Sequence, residues 1–332
     1  MSASTYRGRF APSPTGPLHF GSVVIALASY LDAKANHGKW FVRIDDLDQP
    51  RVVPGAESDI LRELERLGLG WDGEVRRQRH QSARYQTGLD RLAAQGASFP
   101  CGCTRRDLGG GPYPGTCREK IPSGRHARSI RFRSPDSGVS FHDLVVGPQT
   151  VASDAFGGDF VIRRADGIAA YHLACVLDDA AEGITHIVRG RDLLISTGAQ
   201  AALSDALGIA RPTYAHLPVL VDGRDVKLSK RAHARPTHLT GAATVLGDAI
   251  ATLGLEPSGL VRSDLERSDL QRSDLQRSDL QRSGLERSDL ERSGLEPSGS
   301  DPSELLAGAL ANWALPKSPP ETLRAPSRYG HA

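Results

Sequence analysis

A stiff, proline-rich segment ends in a histidine directly before a predicted helix. The stretch RFAPSPTGPLHFGS spans residues 9–22, and the largely apolar run VVIALASYLDAKANHG follows it. Prolines fix the turn, glycines let a ligand approach the backbone, and a helix N-terminus presents unpaired N–H groups that bind phosphate. His19 could therefore stabilise the charge that develops on a phosphoryl group. The alternative is a loop that caps an ordinary helix beside a solvated histidine.

A second stretch, KLSKR at residues 227–231, follows an apolar strand in a loop rich in glycine and charge. Lys227 and Lys230 could clamp the outer phosphates of ATP, since an ammonium group binds phosphate oxygens as a point charge. A lysine-rich loop is also typical of a solvated surface. The segment therefore indicates a nucleotide site only in combination with the segment that carries His19.

Three of the four cysteines lie close together in the chain, at Cys101, Cys103 and Cys117. An odd cluster cannot pair off internally, and a reducing cytosol disfavours disulfides, so metal binding is the leading interpretation. Three thiolates would leave one position of a tetrahedral zinc site for Tyr113, His126 or water. The alternative is a group of three free buried thiols.

Strands and helices alternate around these segments. YRGRFA and WFVRI read as strands, and the helix between them could be capped by Ser22 and end near Gly38. A second helix with apolar residues at helical spacing follows, and ITHIVRGRDLLISTGAQAALSDALG and YAHLPVLVD continue the alternation later in the chain. This order predicts an α/β fold with a doubly wound parallel sheet.

Residues 98–190 differ in character from their surroundings. They contain the cysteine cluster, glycine runs and the β-like stretches SIRFR, DFVIRR and YHLACVLDD, in the last of which Cys175 is expected in the core. This segment reads as an insertion that carries the metal site. The prediction is therefore an α/β domain in two halves, 1–97 and 191–240, a zinc-bearing insertion at 98–190, and a short helical C-terminal region at 241–332.

The C-terminal region contains a low-complexity repeat, 255–299, in which leucine recurs every five residues from Leu260 to Leu295. On a helix a five-residue step turns about 500°, so these leucines form no single apolar stripe. The Ser-Asp-Leu pattern is similar to that of pentapeptide-repeat proteins, but the tract is short for their β-coil. A solvated insert is the favoured interpretation, and a pentapeptide-repeat interaction module is the alternative.

Composition and charge exclude several classes of protein. The 332 residues are 39% hydrophobic with a formal charge of +2, which favours a globular protein and demands no polyanionic partner. Apolar runs such as VVIALA fall far short of the roughly 20 residues of a membrane span, and the N-terminus lacks the apolar core of a signal peptide. We therefore expect a cytoplasmic monomer with no membrane partner.

The two candidate phosphate-binding segments together resemble the signature motifs of class I aminoacyl-tRNA synthetases of the glutamyl branch. The first motif of that family is His-x-Gly-His or close to it, and it stands here as His19-Phe20-Gly21-Ser22, with serine in place of the second histidine. WFVRIDDLD, AYHLACVLDD and ITHIVRGRDLL also resemble segments of this family in the expected order. The resemblance covers roughly residues 6–236 and implies the Rossmann-type fold of that class.

The resemblance implies a role for each matching residue. His19 and Lys230 would be catalytic on ATP bound with Mg²⁺, and Asp45, where the family commonly has glutamate, would hold the ammonium group of a glutamate substrate. Tyr113 would be the fourth ligand of a structural zinc ion. The implied site residues are Arg9, Phe10, Ala11, Pro12, Ser13, Asp45, Tyr171 and Arg189 for glutamate; His19, Gly21, Lys227, Ser229 and Lys230 for ATP; and Cys101, Cys103, Tyr113 and Cys117 for zinc.

After KLSKR about a hundred residues remain, too few for the anticodon-binding domains of the full-length glutamyl enzymes. Such a chain is similar to a shorter paralogue of this branch, which transfers glutamate from glutamyl-adenylate to the queuosine base in the anticodon of tRNA(Asp). A set of basic residues near the zinc ligands would contact the phosphates of the anticodon stem-loop: Arg105, Arg106, Arg118, Lys120, Arg125 and Arg128. The alternatives are a shortened enzyme that charges a tRNA 3′ end, and a glutamate- or nucleotide-binding regulator without catalysis.

Overall fold

Strands and helices alternate from residue 7 onward in the computed structural model, which describes residues 5–228, 235–255, 301–317 and 322–330. The helices among these residues are α1 (Phe20–Ala35), α2 (Ala56–Arg66), α3 (Ser82–Ala94), α4 (Tyr171–Ala181), α5 (Leu194–Ala206), α6 (Ala242–Thr252) and α7 (Pro302–Ala311). The strands are β1 (Arg7–Phe10), β2 (Lys39–Ile44), β3 (Arg76–Arg77), β4 (Ser98–Cys101), β5 (Ser129–Phe132), β6 (Val139–Asp143), β7 (Gly147–Val151), β8 (Val161–Arg163), β9 (His186–Gly190), β10 (Thr213–Leu217), β11 (Val219–Val221) and β12 (Thr322–Arg324). In this part of the chain, no helix combines the length and the apolar character that a membrane span requires.

The first three strands form a parallel sheet in the order β1-β2-β3. α1 connects β1 to β2, and α2 lies between β2 and β3, so the predicted strand, turn, helix and strand are confirmed. α1 is buried along most of its length because it packs on β1 and β2 on one side and on α6 and α7 on the other. The turn between β1 and α1 opens at the carboxyl end of β1, where α/β folds bind ligands.

The second group of strands has the order β7-β6-β10-β9, with β10 parallel to both β9 and β6. Thr185, directly before β9, donates its backbone N–H to the carbonyl of Arg7 in β1, and its own carbonyl accepts from Thr213 at the start of β10. The parallel strands of the two groups therefore lie side by side. This agrees with the class I synthetase fold and its mixed α/β content, with the parallel strands in separate hydrogen-bonded sheets rather than one continuous sheet.

A small antiparallel sheet, β4-β5-β8, carries the cysteine cluster, since Cys101 is the last residue of β4. The predicted strands SIRFR and DFVIRR correspond to β5 and β8. This sheet and β9 both fall within the range 98–190, although β9 pairs with β10 of the second group of strands. The predicted boundaries of the insertion and of the other segments stay predictions.

The prediction of a strand at YHLACVLDD is wrong, because these residues form α4. The helix is buried on most sides, from Leu173 to Asp179, so its sequence lacks the polar face that marks a surface helix. A short apolar run bounded by polar residues reads equally well as a buried strand. Cys175 is buried as predicted, but it lies on this helix rather than on a strand.

Both ends of α1 differ in detail from the prediction. His19, not Ser22, is the N-cap residue, and its ring nitrogen Nδ1 accepts the backbone N–H of Ser22 at 3.3 Å. At the other end His37, with φ of 51°, takes the left-handed conformation. Gly38 is required for another reason: a Cβ atom there would lie 2.4 Å from the carbonyl oxygen of Tyr6.

The C-terminal residues complete the core around α1. α6 and α7 pack against α1 through buried residues that include Val245, Leu246 and Leu305, and β12 adds in parallel to β11. The ring of Tyr329 stacks on Phe20 with centroids 4.0 Å apart. The repeat predicted at 255–299 lies, apart from Leu255, outside the described residues.

Candidate functional site

A cavity of about 330 Å³ opens between the N-terminus of α1 and the carboxyl ends of β1, β2 and β9. It brings together all the residues predicted for glutamate and ATP that the structure describes: Arg9, Phe10, Ala11, Pro12, Ser13, His19, Gly21, Asp45, Tyr171, Arg189 and Lys227. Ser229 and Lys230 lie outside the described residues. Residues far apart in the chain therefore converge on one site because parallel strands end at the same edge.

His19 lies at the mouth of α1 with its ring folded over the first turn of the helix. While Nδ1 accepts from the Ser22 backbone, Nε2 lies 3.0 Å from the hydroxyl oxygen of the same serine. A Cβ atom at Gly21 would come within 3.2 Å of the His19 ring, so glycine leaves the room this ring position needs. Ser22, which replaces the second histidine of the family motif, thus holds His19 by two contacts.

Buried ion pairs form the wall of the cavity that β1 and β2 supply. The Arg9 guanidinium donates to both carboxylate oxygens of Asp179, at 3.2 and 3.4 Å. Arg43 donates to Asp45 at 2.8 Å and to Asp179 at 2.6 Å, and it lies 3.5 Å from Glu182. The remaining nitrogen of Arg9, Nη1, has no hydrogen-bond partner within the described part of the chain. Arg9 can therefore bind a ligand through Nη1 and the second hydrogen of Nη2 while its ion pair is kept.

Burial and charge act in opposite directions on these groups. Burial raises the pKa of Asp45 above its ordinary value, although Arg43 and Arg9 act to lower it. Burial acts in the same way on Asp179, but the two arginines outweigh it and hold the pKa of this carboxyl below its ordinary value. Asp179 is thus the fixed counter-charge of the arginines, which leaves Asp45 Oδ2 beside the cavity, 3.9 Å from Cys175 Sγ.

The opposite wall contains Arg189, at the end of β9, held by polar side chains. Its Nε donates to His216 Nε2 at 3.1 Å, and its Nη2 donates to the Thr197 hydroxyl at 2.6 Å. His216 in turn lies 2.6 Å from Asp143. As with Arg9, the nitrogen left over is Nη1, which has no hydrogen-bond partner among the residues that the structure covers.

Tyr171 and Lys227 are the more exposed members of the site. Tyr171, in the first turn of α4, is 43% exposed. Lys227, directly before the buried Leu228, forms a salt bridge of 2.6 Å with Asp192, which also lines the cavity. Because this ion pair is exposed, a phosphate group can compete for Lys227 at little cost.

The predicted metal ligands lie together in the small antiparallel sheet. The Sγ atoms of Cys101, Cys103 and Cys117 are all within 4.8 Å of one another, and those of Cys103 and Cys117 are 3.6 Å apart. The Tyr113 hydroxyl lies 3.5 Å from Cys101 Sγ and 3.9 Å from Cys103 Sγ. Tetrahedral zinc with Zn–S bonds of about 2.3 Å places sulfurs about 3.8 Å apart, so these spacings fit a zinc ion.

The surroundings of Cys101 favour its ionised form, whereas burial and the neighbouring thiols raise the pKa of Cys103 above its ordinary value. Burial would raise the pKa of Cys101, but hydrogen bonds from the Tyr113 hydroxyl, the Cys103 backbone and Arg131 lower it to about 7. His126 is exposed and does not belong to the group of potential ligand atoms. Of the ligands left open by the sequence, Tyr113 is therefore the protein side chain that lies within reach.

The basic residues predicted to contact RNA lie on the surface around this cluster. Most are exposed, and the half-buried Arg118 lies 3.4 Å from Asp159, while Arg125 forms a salt bridge with Asp107 at 3.0 Å. Some of this positive charge is thus balanced locally. The exposed members are Arg105, Arg106, Lys120, Arg125 and Arg128.

Sequence reasoning missed the residues that hold the arginines in place. Arg43 stands two residues before the predicted Asp45, Asp179 follows YHLACVLD on α4, and Glu182 is the residue directly after this helix. These residues could have been recognised as charged residues inside apolar segments. Such residues indicate a buried ion pair, since Asp and Arg are almost never fully buried unless paired. His216, inside the apolar strand YAHLPVLVD, carried the same signal.

Three comparisons with known proteins relate this chain to class I tRNA synthetases. The family model described as "tRNA synthetases class I (E and Q), catalytic domain" matches residues 5–110 and 117–248. The chain is 48% identical to the Glutamyl-Q tRNA(Asp) synthetase of Thiobacillus denitrificans over 269 residues, which cover 78% of this chain and 89% of the relative. It is 51% identical over 238 residues to the protein of the same name from Geobacter sulfurreducens, with 68% of this chain and 76% of the relative covered.

Among solved structures, the glutamate-tRNA synthetase of Elizabethkingia anophelis is similar with a TM-score of 0.62 and 30% sequence identity. The alignment covers 68% of this chain and 53% of that one. The chain therefore spans about half the length of that enzyme, whereas it spans most of the length of the curated relatives.

Proposed function

Since the chain belongs to the class I tRNA synthetase (E and Q) catalytic-domain family, we propose that it activates glutamate with ATP and transfers it to the queuosine base in the anticodon of tRNA(Asp). The assignment of queuosine in tRNA(Asp) as the acceptor is supported by the relatives that this chain matches over most of their length, which are named Glutamyl-Q tRNA(Asp) synthetase.

The charges that line the cavity complement glutamate, and this observation carries the proposal. Glutamate has two carboxylates and one ammonium group at neutral pH. The cavity offers a guanidinium nitrogen of Arg9 and another of Arg189 that form no ion pair or hydrogen bond within the described residues, and the carboxylate of Asp45, at the end of β2, lines the same cavity. Asp45 is one methylene shorter than the family's usual glutamate, and its ion pair with Arg43 fixes the orientation in which it would meet the substrate ammonium group.

Activation places the ATP phosphates beside His19 and the helix N-terminus. An oxygen of the glutamate α-carboxylate attacks the α-phosphorus of ATP and forms a new P–O bond. The bond between the α-phosphorus and the oxygen that bridges to the β-phosphorus breaks, and pyrophosphate leaves with that oxygen and its electron pair. His19, Lys227, Lys230 and the N–H groups of α1 stabilise the charge on the phosphoryl oxygens. Mg²⁺ bound with ATP would neutralise part of the charge on the phosphates. A hydroxyl of queuosine then displaces AMP from the glutamyl-adenylate.

We further propose one structural zinc ion per chain, bound by Cys101, Cys103, Tyr113 and Cys117. The spacing of the sulfurs and of the Tyr113 oxygen supports this ligand set. The ion would join the turn after β4 to the loop that carries Cys117 and so hold the exposed basic residues on a rigid surface. These residues would contact the phosphates of the anticodon stem-loop.

Two assays test the function. In the first, exchange of labelled pyrophosphate into ATP is measured with each amino acid in the absence of tRNA, and we expect exchange with glutamate. A chain that exchanges with no amino acid would instead be a binding protein of this family. Exchange with another amino acid would overturn the assignment of glutamate.

The second assay uses an isolated anticodon stem-loop, which has no 3′ acceptor end. Labelled glutamate should join the stem-loop that contains queuosine and not the matched stem-loop that contains guanosine at the same position. Labelling of queuosine-free full-length tRNA alone would identify the chain as a shortened enzyme that charges the 3′ end. Periodate treatment is avoided because queuosine has a diol of its own.

A further inference from the structure

A fully buried pair of side chains lies behind the arginine of β9. Asp143, the last residue of β6, and His216 in β10 are both 0% exposed. Asp143 Oδ2 lies 2.6 Å from His216 Nδ1, while Oδ1 accepts from the backbone N–H groups of Val145 and Val146 at 2.9 and 3.0 Å. Every bond to this carboxylate comes from a donor, so it is held as an anion and its partner nitrogen Nδ1 carries a proton.

The other edge of the imidazole faces Arg189. Arg189 Nε, which can only donate, lies 3.1 Å from His216 Nε2, so Nε2 must accept. The Thr197 hydroxyl also lies 3.0 Å from Nε2 and accepts from Arg189 Nη2. The geometry therefore requires a neutral imidazole protonated on Nδ1, which is the tautomer that Asp143 selects.

We propose that His216, in the tautomer selected by Asp143, is a positioning residue that orients the Arg189 guanidinium toward a carboxylate of the amino acid substrate. The proposal rests on the proposed function, because the substrate carboxylate is that of glutamate. With Nε bound by His216 and Nη2 bound by Thr197, the guanidinium plane is fixed and Nη1 is the nitrogen left for the ligand. A fixed plane binds a carboxylate better than a mobile one, since its orientation is not lost on binding.

A purely structural histidine would make a different use of its two nitrogens. The bond to Asp143 alone would satisfy a buried carboxylate and stabilise the junction of β6 and β10. Here the second nitrogen is bound to a cavity-lining arginine on another strand. The two roles can be separated because they use different nitrogens of one ring.

Two matched substitutions of His216 separate its structural role from its role in positioning Arg189. In His216→Asn the amide nitrogen can replace Nδ1 and keep the bond to Asp143, but no atom remains at the position of Nε2. In His216→Gln the longer side chain can place an amide oxygen near Nε2 as an acceptor for Arg189. We expect His216→Asn to raise KM for glutamate at least about tenfold in the pyrophosphate exchange assay, as loss of a hydrogen bond to a charged group does.

The comparison between variants decides the proposal. KM for glutamate in His216→Gln should stay within about threefold of wild type, and KM for ATP should be unchanged within about twofold in both variants. His142→Gln, on the exposed neighbour of Asp143, is the matched control and should change neither constant. A wild-type KM for glutamate in His216→Asn, or equal increases in the Asn and Gln variants, would overturn the proposal.

Asp143→Asn provides a second route if His216→Asn does not fold. An amide N–H aimed at Nδ1 moves the imidazole proton to Nε2, where it opposes the Arg189 N–H, so KM for glutamate should rise as in His216→Asn. Nitrogen-15 NMR of labelled histidine, with the signal assigned by its loss in His216→Gln, reports the tautomer directly. A protonated Nε2 at pH 7 overturns the proposal whether or not the chain activates glutamate. Absence of glutamate-dependent exchange in the wild type counts against the proposed function instead.

Discussion

Glu182 Oε2 lies 3.5 Å from Arg43 Nη1, and both side chains are buried behind the cavity wall that contains Arg9 and Asp45. Burial raises the pKa of Glu182 to about 7; Arg43 acts to lower it, and Asp179, Asp178 and Asp45 act with burial to raise it. Between the ordinary pKa of about 4.5 and this value, the native state holds a proton that the unfolded chain has lost. The contribution of Glu182 to the free energy of unfolding is therefore full at low pH and declines as the pH rises through 7.

We predict that Glu182→Gln removes this decline, because glutamine resembles the protonated side chain. The difference in free energy of unfolding between variant and wild type should shift in favour of the variant by about 1–3 kcal/mol from pH 5 to pH 8. Thermal unfolding at several pH values measures it, with Glu65→Gln on the exposed face of α2 as the control. A difference that stays constant with pH would show that Glu182 does not titrate in this range.

The zinc proposal predicts one ion per chain by elemental analysis of protein purified without added metal. Cys103→Ser should lose the ion, because a hydroxyl replaces a thiolate ligand. Tyr113→Phe should retain it but release it to a chelator at about tenfold lower chelator concentration. Cys175→Ser, on α4, should keep full zinc content. Wild-type protein without zinc and with all three clustered thiols freely titratable would contradict the site.

Gly38 should be essential for the packing of β2 against the segment before β1. In Gly38→Ala the new methyl group would lie 2.4 Å from the Tyr6 carbonyl oxygen and 2.6 Å from Tyr6 Cβ, so backbone must move. We expect a loss of about 1–3 kcal/mol in the free energy of unfolding, measured by denaturant titration. Gly70→Ala is the control, since a methyl group at that position would meet no atom within 4 Å beyond its chain neighbours. Equal stabilities of the two variants would refute the steric argument.

Lys230→Ala should slow glutamate activation at least about a hundredfold, as loss of one transition-state charge partner does. Lys230 lies outside the described residues, but the described residue before its segment, Leu228, lines the cavity, and Pro236 after it lies beside His19. Leu228 is buried and donates its N–H to Leu220, and Pro236 forms a β-bridge with His19. Arg224→Ala, an exposed basic residue of the preceding turn, is the control. An unchanged rate would remove Lys230 from the mechanism.

Excising residues 260–295 should leave glutamate activation within about twofold of wild type, since loop length changes free energy only slowly. Both flanks of the repeat are held in one core by buried residues, Val245 and Leu246 on α6 and Leu305 and Leu306 on α7. Exchange assays and thermal unfolding of the excised protein measure the effect. A collapse of solubility or activity would favour an ordered repeat packed on the enzyme.

Local signals predicted the elements whose sequence differs between buried and exposed faces, or that carry a turn. The β1–α1–β2 unit is of this kind, because RFAPSPTGPLHFGS marks its turn, and the convergence of Arg9, His19 and Arg189 followed from the family resemblance. α4 could not be recognised, since a helix buried on most sides shows no 3.6-residue pattern.

The contacts behind the site could not be predicted, because they join residues distant in sequence through side-chain geometry alone. Arg9 meets Asp179, and Asp143 meets His216, across strands that no local pattern pairs. Charge in an apolar segment indicates a buried partner, but it does not identify the partner.

The stack of Tyr329 on Phe20 joins residues separated by roughly 300 positions, and Leu220, Leu305 and Ala325 enter the same core. During synthesis at about 5–20 residues per second, β1, α1 and β2 are made roughly 15–60 s before Tyr329. Through that interval the apolar sides of α1 that α6 and α7 later cover are open to water. The nascent chain should therefore engage chaperones early, and its final folding step should follow the emergence of the segment around Tyr329.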